Sequence, residues 1–289
     1  MADTRTGTGA GFLLTVSLCS ALAGMALVFV MIAAFSLPVF FSGQNGGTVF
    51  SRQWLPSAGS FGITPMLVGS LLLALVSVVL AWPIALGFSS ITLTARSKRA
   101  RIWAGRLVRL MASVPTVVYA FAAVFLVAPL VRRALGGGSG LGLLTAAPVL
   151  ALLVFPTMVV VMQAGMRDRM AEIWPAAASL GLCRMQAMAH LVIPASVRSL
   201  AAAAGLGAAR AIGDTMISLM LAGNAVHFPG HLTDGLRTLT AHMALVTANE
   251  VGGAAYDSLF AAGALALLAS CGISMVVRRF ARAKNENGC

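Results

Sequence analysis

Between Arg5 and Arg96 the chain carries a single formally charged side chain, Arg52. An apolar stretch of that length cannot be buried in one small water-soluble core. A helix of about 20 mostly apolar residues, by contrast, crosses the roughly 30 Å hydrocarbon layer with every backbone N–H and C=O satisfied within itself. Six segments meet that condition, near 12–41, 64–94, 107–131, 142–165, 198–222 and 256–277. The composition agrees, with 59% apolar and 10% charged residues and a mean hydropathy of +0.92, against about 25% charged in soluble domains. A cytoplasmic enzyme, a disordered chain and a secreted disulfide scaffold are excluded together. The expectation is an all-α polytopic membrane protein with six transmembrane helices. The first segment exceeds the apolar core of a signal peptide, roughly 7–15 residues, and reads as a retained span.

The net charge of +12, from 20 Lys+Arg against 8 Asp+Glu, would suggest nucleic acid in a soluble protein. Here it follows the positive-inside rule, and no nucleic-acid partner is expected. With the N-terminus in the cytoplasm, fifteen basic residues fall on the inner side: Arg5, the six between Arg96 and Arg109, Arg167, Arg169, Arg184, Arg198 and the tail from Arg278 to Lys284. Only Arg52, Arg132, Arg133 and Arg237 fall outside, and Arg210 lies within a span. Both termini are therefore expected in the cytoplasm, and the chain in the inner (cytoplasmic) membrane as a multi-pass protein.

Chemistry of its own is not expected. The two lysines, Lys98 and Lys284, follow no Walker-type glycine loop, so the chain is not itself a P-loop ATPase. The spans contain no His/Glu metal cluster and no Ser-Lys pair, so no catalytic residue is assigned. Cys19, Cys183, Cys271 and Cys289 have no metal spacing, and the two in apolar runs read as small buried residues. No metal site is expected.

The organisation follows from the spans. Residues 1–62 form the first helix and a Gly/Ser-rich outer loop, 63–282 the core, and 283–289 a cytoplasmic tail. Gly136-Gly137-Gly138-Ser139-Gly140 lacks the lysine of a phosphate loop and reads as a flexible turn. The outer loop 223–255 holds His227 and His231, but Pro229-Gly230 breaks the helical face a shared metal would need, so both read as loop polarity.

Two segments are unusual. The inner connection 167–197 is too apolar for a linker: Ala176-Ala177-Ala178, Leu180, Leu182, Met185, Met188, Leu191 and Ile193 suit short amphipathic helices. Gly181 offers a break between them and Pro194 ends the second. Such a hairpin presents apolar side chains either to a protein partner or to lipid headgroups. In the fifth span, Ala201, Gly205, Ala209 and Gly213 recur every four residues, a stripe for close helix packing. Beside it Arg210, Asp214 and Ser218 share a second, polar stripe. A charge at membrane depth costs roughly 2.5–3.5 kcal/mol on insertion scales, and a buried ion pair adds little net stability. That makes the stripe a candidate site. A guanidinium suits an oxyanion through two parallel hydrogen bonds, with Asp214 holding it and tempering the affinity so that the anion can leave.

Pro175-Ala176-Ala177, three residues, Gly181, nine residues and Leu191-Val192-Ile193-Pro194 resemble the coupling motif of ABC importer permeases. The motif's glutamate position is Pro175 here, with Glu172 one turn earlier. Ala209-Arg210-Ala211-Ile212-Gly213-Asp214-Thr215-Met216 and Gly223-Asn224 are similar to phosphate-transport permeases of the PstC/PstA type, the PstC branch above all. In that family the position of Asp214 is usually Glu. Ser113-Val114-Pro115-Thr116-Val117-Val118-Tyr119 and Phe155-Pro156-Thr157 extend the resemblance over about residues 60–277.

The resemblance implies a type I ABC importer permease fold. It also implies a machine made of a second, PstA-like permease subunit, a PstB-like ATP-binding cassette ATPase dimer that uses ATP and Mg, and a PstS-like extracytoplasmic phosphate-binding protein. This chain would bind no cofactor itself. On that basis Arg210, Asp214, Thr215 and Ser218 are expected along the substrate path, and Glu172, Ala176, Ala177, Gly181 and Pro194 in coupling to the ATPase. The alternatives are an ABC permease for sulfate, molybdate, tungstate or phosphonate, and a membrane sensor that transports nothing.

Overall fold

The computed structural model describes residues 6–41, 50–56, 59–250 and 252–283. Residues 42–49 and 57–58 of the Gly/Ser-rich loop and most of the tail, with Arg5, Lys284 and Cys289, lie outside the described residues.

The described residues are mostly helical, with one hairpin of β1 (Trp54–Leu55) and β2 (Ser60–Phe61), paired antiparallel with Trp54 opposite Phe61. Helix α1 spans Thr6–Phe41, α2 Thr64–Thr94, α3 Lys98–Ser113, α4 Thr116–Ala134 and α5 Leu143–Ser179. A bent pair follows, α6 (Arg184–Ala195) and α7 (Val197–Gly213), meeting at 71°. Then come α8 (Met216–Leu221), α9 (Leu239–Asn249) and α10 (Ala254–Ala283). Helices α1, α2, α4, α5 and α10 are each long and apolar enough to cross a membrane, and the bent pair, counted as one broken span, makes six.

Helix α5 is the centre of the bundle. Leu150, Val154, Met158, Met162 and Met166 along it are fully buried, with α2 on one side and α7 on another. Helix α7 is in turn covered by α10, on which α1 lies with Phe35 stacked on Phe260 at 4.8 Å. Two hydroxyls inside helix α2 are satisfied locally: Ser77 donates to the Leu73 carbonyl and Ser70 to that of Met66. The Ser70 oxygen also accepts from the Leu239 amide at 2.8 Å, tying α9 to α2.

Glycine sets the closest approaches. A Cβ on Gly205 would stand 2.9 Å from both Val277 methyls, and one on Gly207 would meet the Met158 sulfur at 2.9 Å. The expected four-residue stripe is therefore only partly the packing face. Gly205 belongs to it, but Gly213 meets nothing, and Gly207, off the stripe, is pressed against α5.

Three expectations need correction. The third span begins at Thr116 rather than near 107, because Pro115 holds Val114 extended and ends α3. The Pro115 motif consequently stands at the start of a span, where the Tyr119 hydroxyl donates to the Met111 carbonyl across the break at 2.9 Å. The connection 223–255, expected as a loop, contains a helix, α9, which Thr238 caps by accepting from the Ala241 amide. Cys19 and Cys271 are exposed on this chain rather than buried: α1 and α10 present those faces outward.

Candidate functional site

The fifth span does not continue as one helix through its charged residues. Helix α7 stops at Gly213, Asp214 turns extended (φ −77, ψ 125), and α8 starts at Met216. Asp214, 8% exposed, turns its carboxylate onto the next helix, where Oδ2 accepts from the Ile217 amide at 2.8 Å. Its carbonyl accepts from the Ser218 hydroxyl at 3.0 Å and from the Thr240 hydroxyl of α9 at 3.0 Å. The expected Arg210–Asp214 pairing within one continuous helix is corrected accordingly. The only ion pair among the described residues is Arg169–Glu172 at 2.8 Å, although Arg210 stays near enough to act on Asp214 electrostatically.

The physical reason is that two helix ends do what the pair was expected to do. Arg210 sits in the last turn of α7, where the carbonyl end of the helix dipole favours a cation. Asp214 sits at the amide end of α8, the favoured place for an acceptor side chain. Arg210 is exposed on this chain, on a face shared with Ala202, Leu206 and Gly213. By helix rise it stands about 20 Å along α7 from Val197. Ser218 is buried at 1% and Thr215 half-buried. Thr215 opens with Thr240 and Thr247 on a shallow cleft of about 400 Å³. Thr240 was missed, because its sequence neighbourhood looked like loop.

Gly223 and Asn224 close this region. Both have positive φ (83° and 52°), and Asn224 is the one non-glycine with positive φ among the described residues. Its side-chain amide donates to the Leu219 carbonyl at 2.7 Å, and its carbonyl accepts from Arg237 Nε at 3.1 Å. At the Pro229-Gly230 turn, Asp234 Oδ2 accepts from the Gly230 and His231 amides. Those two bonds hold its carboxyl below the usual range. His227 and His231 join no group of three or more metal-ligating side chains among the described residues.

The apolar connection 167–197 is a helix–turn–helix whose first arm is the end of α5. The turn is a complete Schellman closure: the Gly181 amide donates to the Ala178 carbonyl and the Leu182 amide to that of Ala177, both at 3.1 Å. Gly181 takes φ +74, a conformation that favours glycine. Ala177 is buried at 1% and anchors the turn, while Ala176, Leu180 and Gly181 face outward, Leu180 at 77%. Glu172 spends its charge on Arg169, one turn before Pro175. Pro194 follows a π-helical turn at Met188–Val192. In a regular helix its ring would collide with the His190 carbonyl. The segment then breaks at Ser196, two residues past Pro194.

Residues 83–284 match the family described as "Binding-protein-dependent transport system inner membrane component". The phosphate transport system permease protein PstC of Pasteurella multocida is 24% identical over 266 residues, 83% of each chain. The probable ABC transporter permease protein YqgH of Bacillus subtilis is 24% identical over 231 residues, 79% of this chain and 75% of its own. Among solved structures, a chain of the bacterial alginate ABC transporter, in complex with an alginate pentasaccharide-bound periplasmic protein, superimposes with a TM-score of 0.66 at 14% identity over 96% of both chains. An inward-facing MetNI methionine ABC transporter gives 0.59 at 18% identity, over 75% of this chain and 94% of that one.

Proposed function

The chain belongs to the family of binding-protein-dependent transport system inner membrane components, and from that premise we propose that it is one permease subunit of an ATP-driven importer of inorganic phosphate. The observation that carries the cargo is Arg210: a guanidinium in the last turn of α7, about 20 Å along from that helix's start, exposed on its own chain, with no carboxylate at ion-pair distance among the described residues. Facing acyl chains, such a group is prohibitively placed. Facing a second permease subunit across a hydrated path, it is a fork for an oxyanion. Asp214 fixes the break that ends α7 just beyond Arg210, and Thr215 and Ser218 complete the polar segment. The relatives named for phosphate transport point to the same cargo. The fold does not choose it, since its structural neighbours handle methionine and alginate.

The partners follow the family's logic. A PstA-like subunit covers the Arg210 face, a PstS-like protein delivers phosphate from outside, and a PstB-like ATPase dimer using ATP and Mg receives the turn at Ala176–Gly181. Glu172 and Pro194 flank that turn and set how its two arms leave it. With both termini in the cytoplasm, the turn lies on the ATPase side.

The test is ATP-dependent phosphate uptake by the assembled complex carrying Arg210→Gln. Retained uptake at unchanged affinity removes Arg210 from the path. Competition with sulfate, molybdate, tungstate and phosphonate identifies the anion, because a guanidinium selects oxyanions as a class. Cysteines introduced at Ala176 and Leu180 are expected to crosslink to the ATPase.

A further inference from the structure

Helix α3 is unlike the spans on either side of it. It carries Lys98, Arg99, Arg101, Arg106 and Arg109 in 16 residues and buries only Val108. Trp103, Leu107 and Leu110 stand 66%, 50% and 63% exposed. A helix basic on one side and apolar on the other, with an indole at its edge, lies in the plane of the membrane interface. It also walls a cleft of about 680 Å³, lined by Lys98, Arg101 and Arg109 of α3, Arg167 and Trp174 of α5, and Arg184 of α6.

Five cations face that space, and no Asp or Glu lines it. A second opening of about 770 Å³ shares Arg101, Trp174 and Arg184 and adds Arg96, again without a carboxylate. Trp174 presents its face to the Arg184 guanidinium at 5.0 Å, which orients that fork. Positive charge gathered in a concave cleft calls for an anion, and guanidinium forks suit phosphate oxygens. The cleft also has an apolar side, Leu93, Ile102 and Met170. A free anion has no use for that wall, whereas a molecule with a phosphate head and acyl chains uses both.

We propose that this cleft binds the phosphate headgroup of an anionic phospholipid, with its chains leaving along Leu93, Ile102 and Met170. It is separate from the Arg210 region and does not depend on the transported anion. A headgroup bonded to Arg101, Arg167 and Arg184 at once would clasp α3 to both arms of the Gly181 turn.

The test is native mass spectrometry of the assembled complex with added dioleoyl phosphatidylglycerol or dioleoyl phosphatidylcholine. Phosphatidylglycerol should stay bound under activation that strips phosphatidylcholine. Arg101→Gln with Arg109→Gln should weaken that retention about tenfold or more. Arg101→Lys and Arg99→Gln, the latter on α3 but outside the cleft, should retain it. Unchanged phosphatidylcholine adducts and monodisperse elution show that the double variant is folded. Equal retention of the two lipids, or equal loss with Arg99→Gln, overturns the site. Displacement by millimolar inorganic phosphate assigns it to a free anion instead, and retention only after the ATPase is stripped assigns it to that subunit; either result overturns the lipid.

Discussion

The Asp214 carboxylate accepts from the Ile217 amide at 2.8 Å, so the acidic residue beside Arg210 begins one helix rather than pairing within another. Replacing a cap of this kind with alanine costs about 1 kcal/mol, while asparagine caps nearly as well. Asp214→Ala is therefore expected to lower the thermal stability of the purified complex, and Asp214→Asn to leave it close to wild type. Phosphate uptake should follow the same order. An asparagine variant that is stable yet inactive would transfer the role from the cap to the charge.

Gly181 has φ +74 with nothing within 4 Å of a built Cβ, so what excludes other residues is conformation rather than space. Gly181→Ala is expected to cost about 1 kcal/mol and to loosen the turn that carries Ala176 and Leu180. ATP-dependent uptake should fall more than substrate binding does. Gly181→Asn, which tolerates this region better, should recover most of the loss, and comparing uptake in the two variants checks it. Equal activity of all three chains would mean that the turn's shape is unimportant to coupling.

Much of this was legible in the sequence because membrane helices announce themselves by length and polarity. The crossings at 64–94 and within 143–179 needed nothing more than that, and Gly181 and Pro194 marked their breaks by their own backbone chemistry. What was not legible is where a helix stops inside an apolar run. The stretch from Ala209 to Leu221 keeps helical spacing through Asp214, and only the competition between the backbone and a capping carboxylate interrupts it. The end of helix α3, from residue 107, reads as part of the following span because Pro115 is a weaker signal than the apolar residues around it. The basic cleft joins residues from three elements, a juxtaposition no local pattern contains.

Gly205 lies where α7 presses against α10, and a Cβ there would stand 2.9 Å from both Val277 methyls. Overpacking of this kind typically costs about 1–3 kcal/mol. Gly205→Ala is expected to destabilise the complex within that range, and Val277→Ala to restore a large part of it when combined. A double-mutant cycle on thermal stability measures the coupling, which should exceed about 0.5 kcal/mol for residues in contact. Additive effects would mean that the helices separate rather than clash.

His242 is fully buried on α9, with its ring edge-on to Trp54 at 4.4 Å and neither ring nitrogen hydrogen-bonded. Burial, with a smaller contribution from the positive Arg237, lowers its pKa from 6.5 to about 4. The neutral imidazole is thus the folded form, and the unfolded chain takes up a proton first as pH falls. The stability this residue contributes is complete above pH 6.5 and is lost progressively as pH drops toward 4. The slope is at most about 1.4 kcal/mol per pH unit. His242→Phe keeps an aromatic ring against Trp54 and removes the titration. Its melting temperature should therefore fall less steeply than wild type between pH 6.5 and 4, and parallel melting curves across that window would show that His242 is protonated in the folded protein.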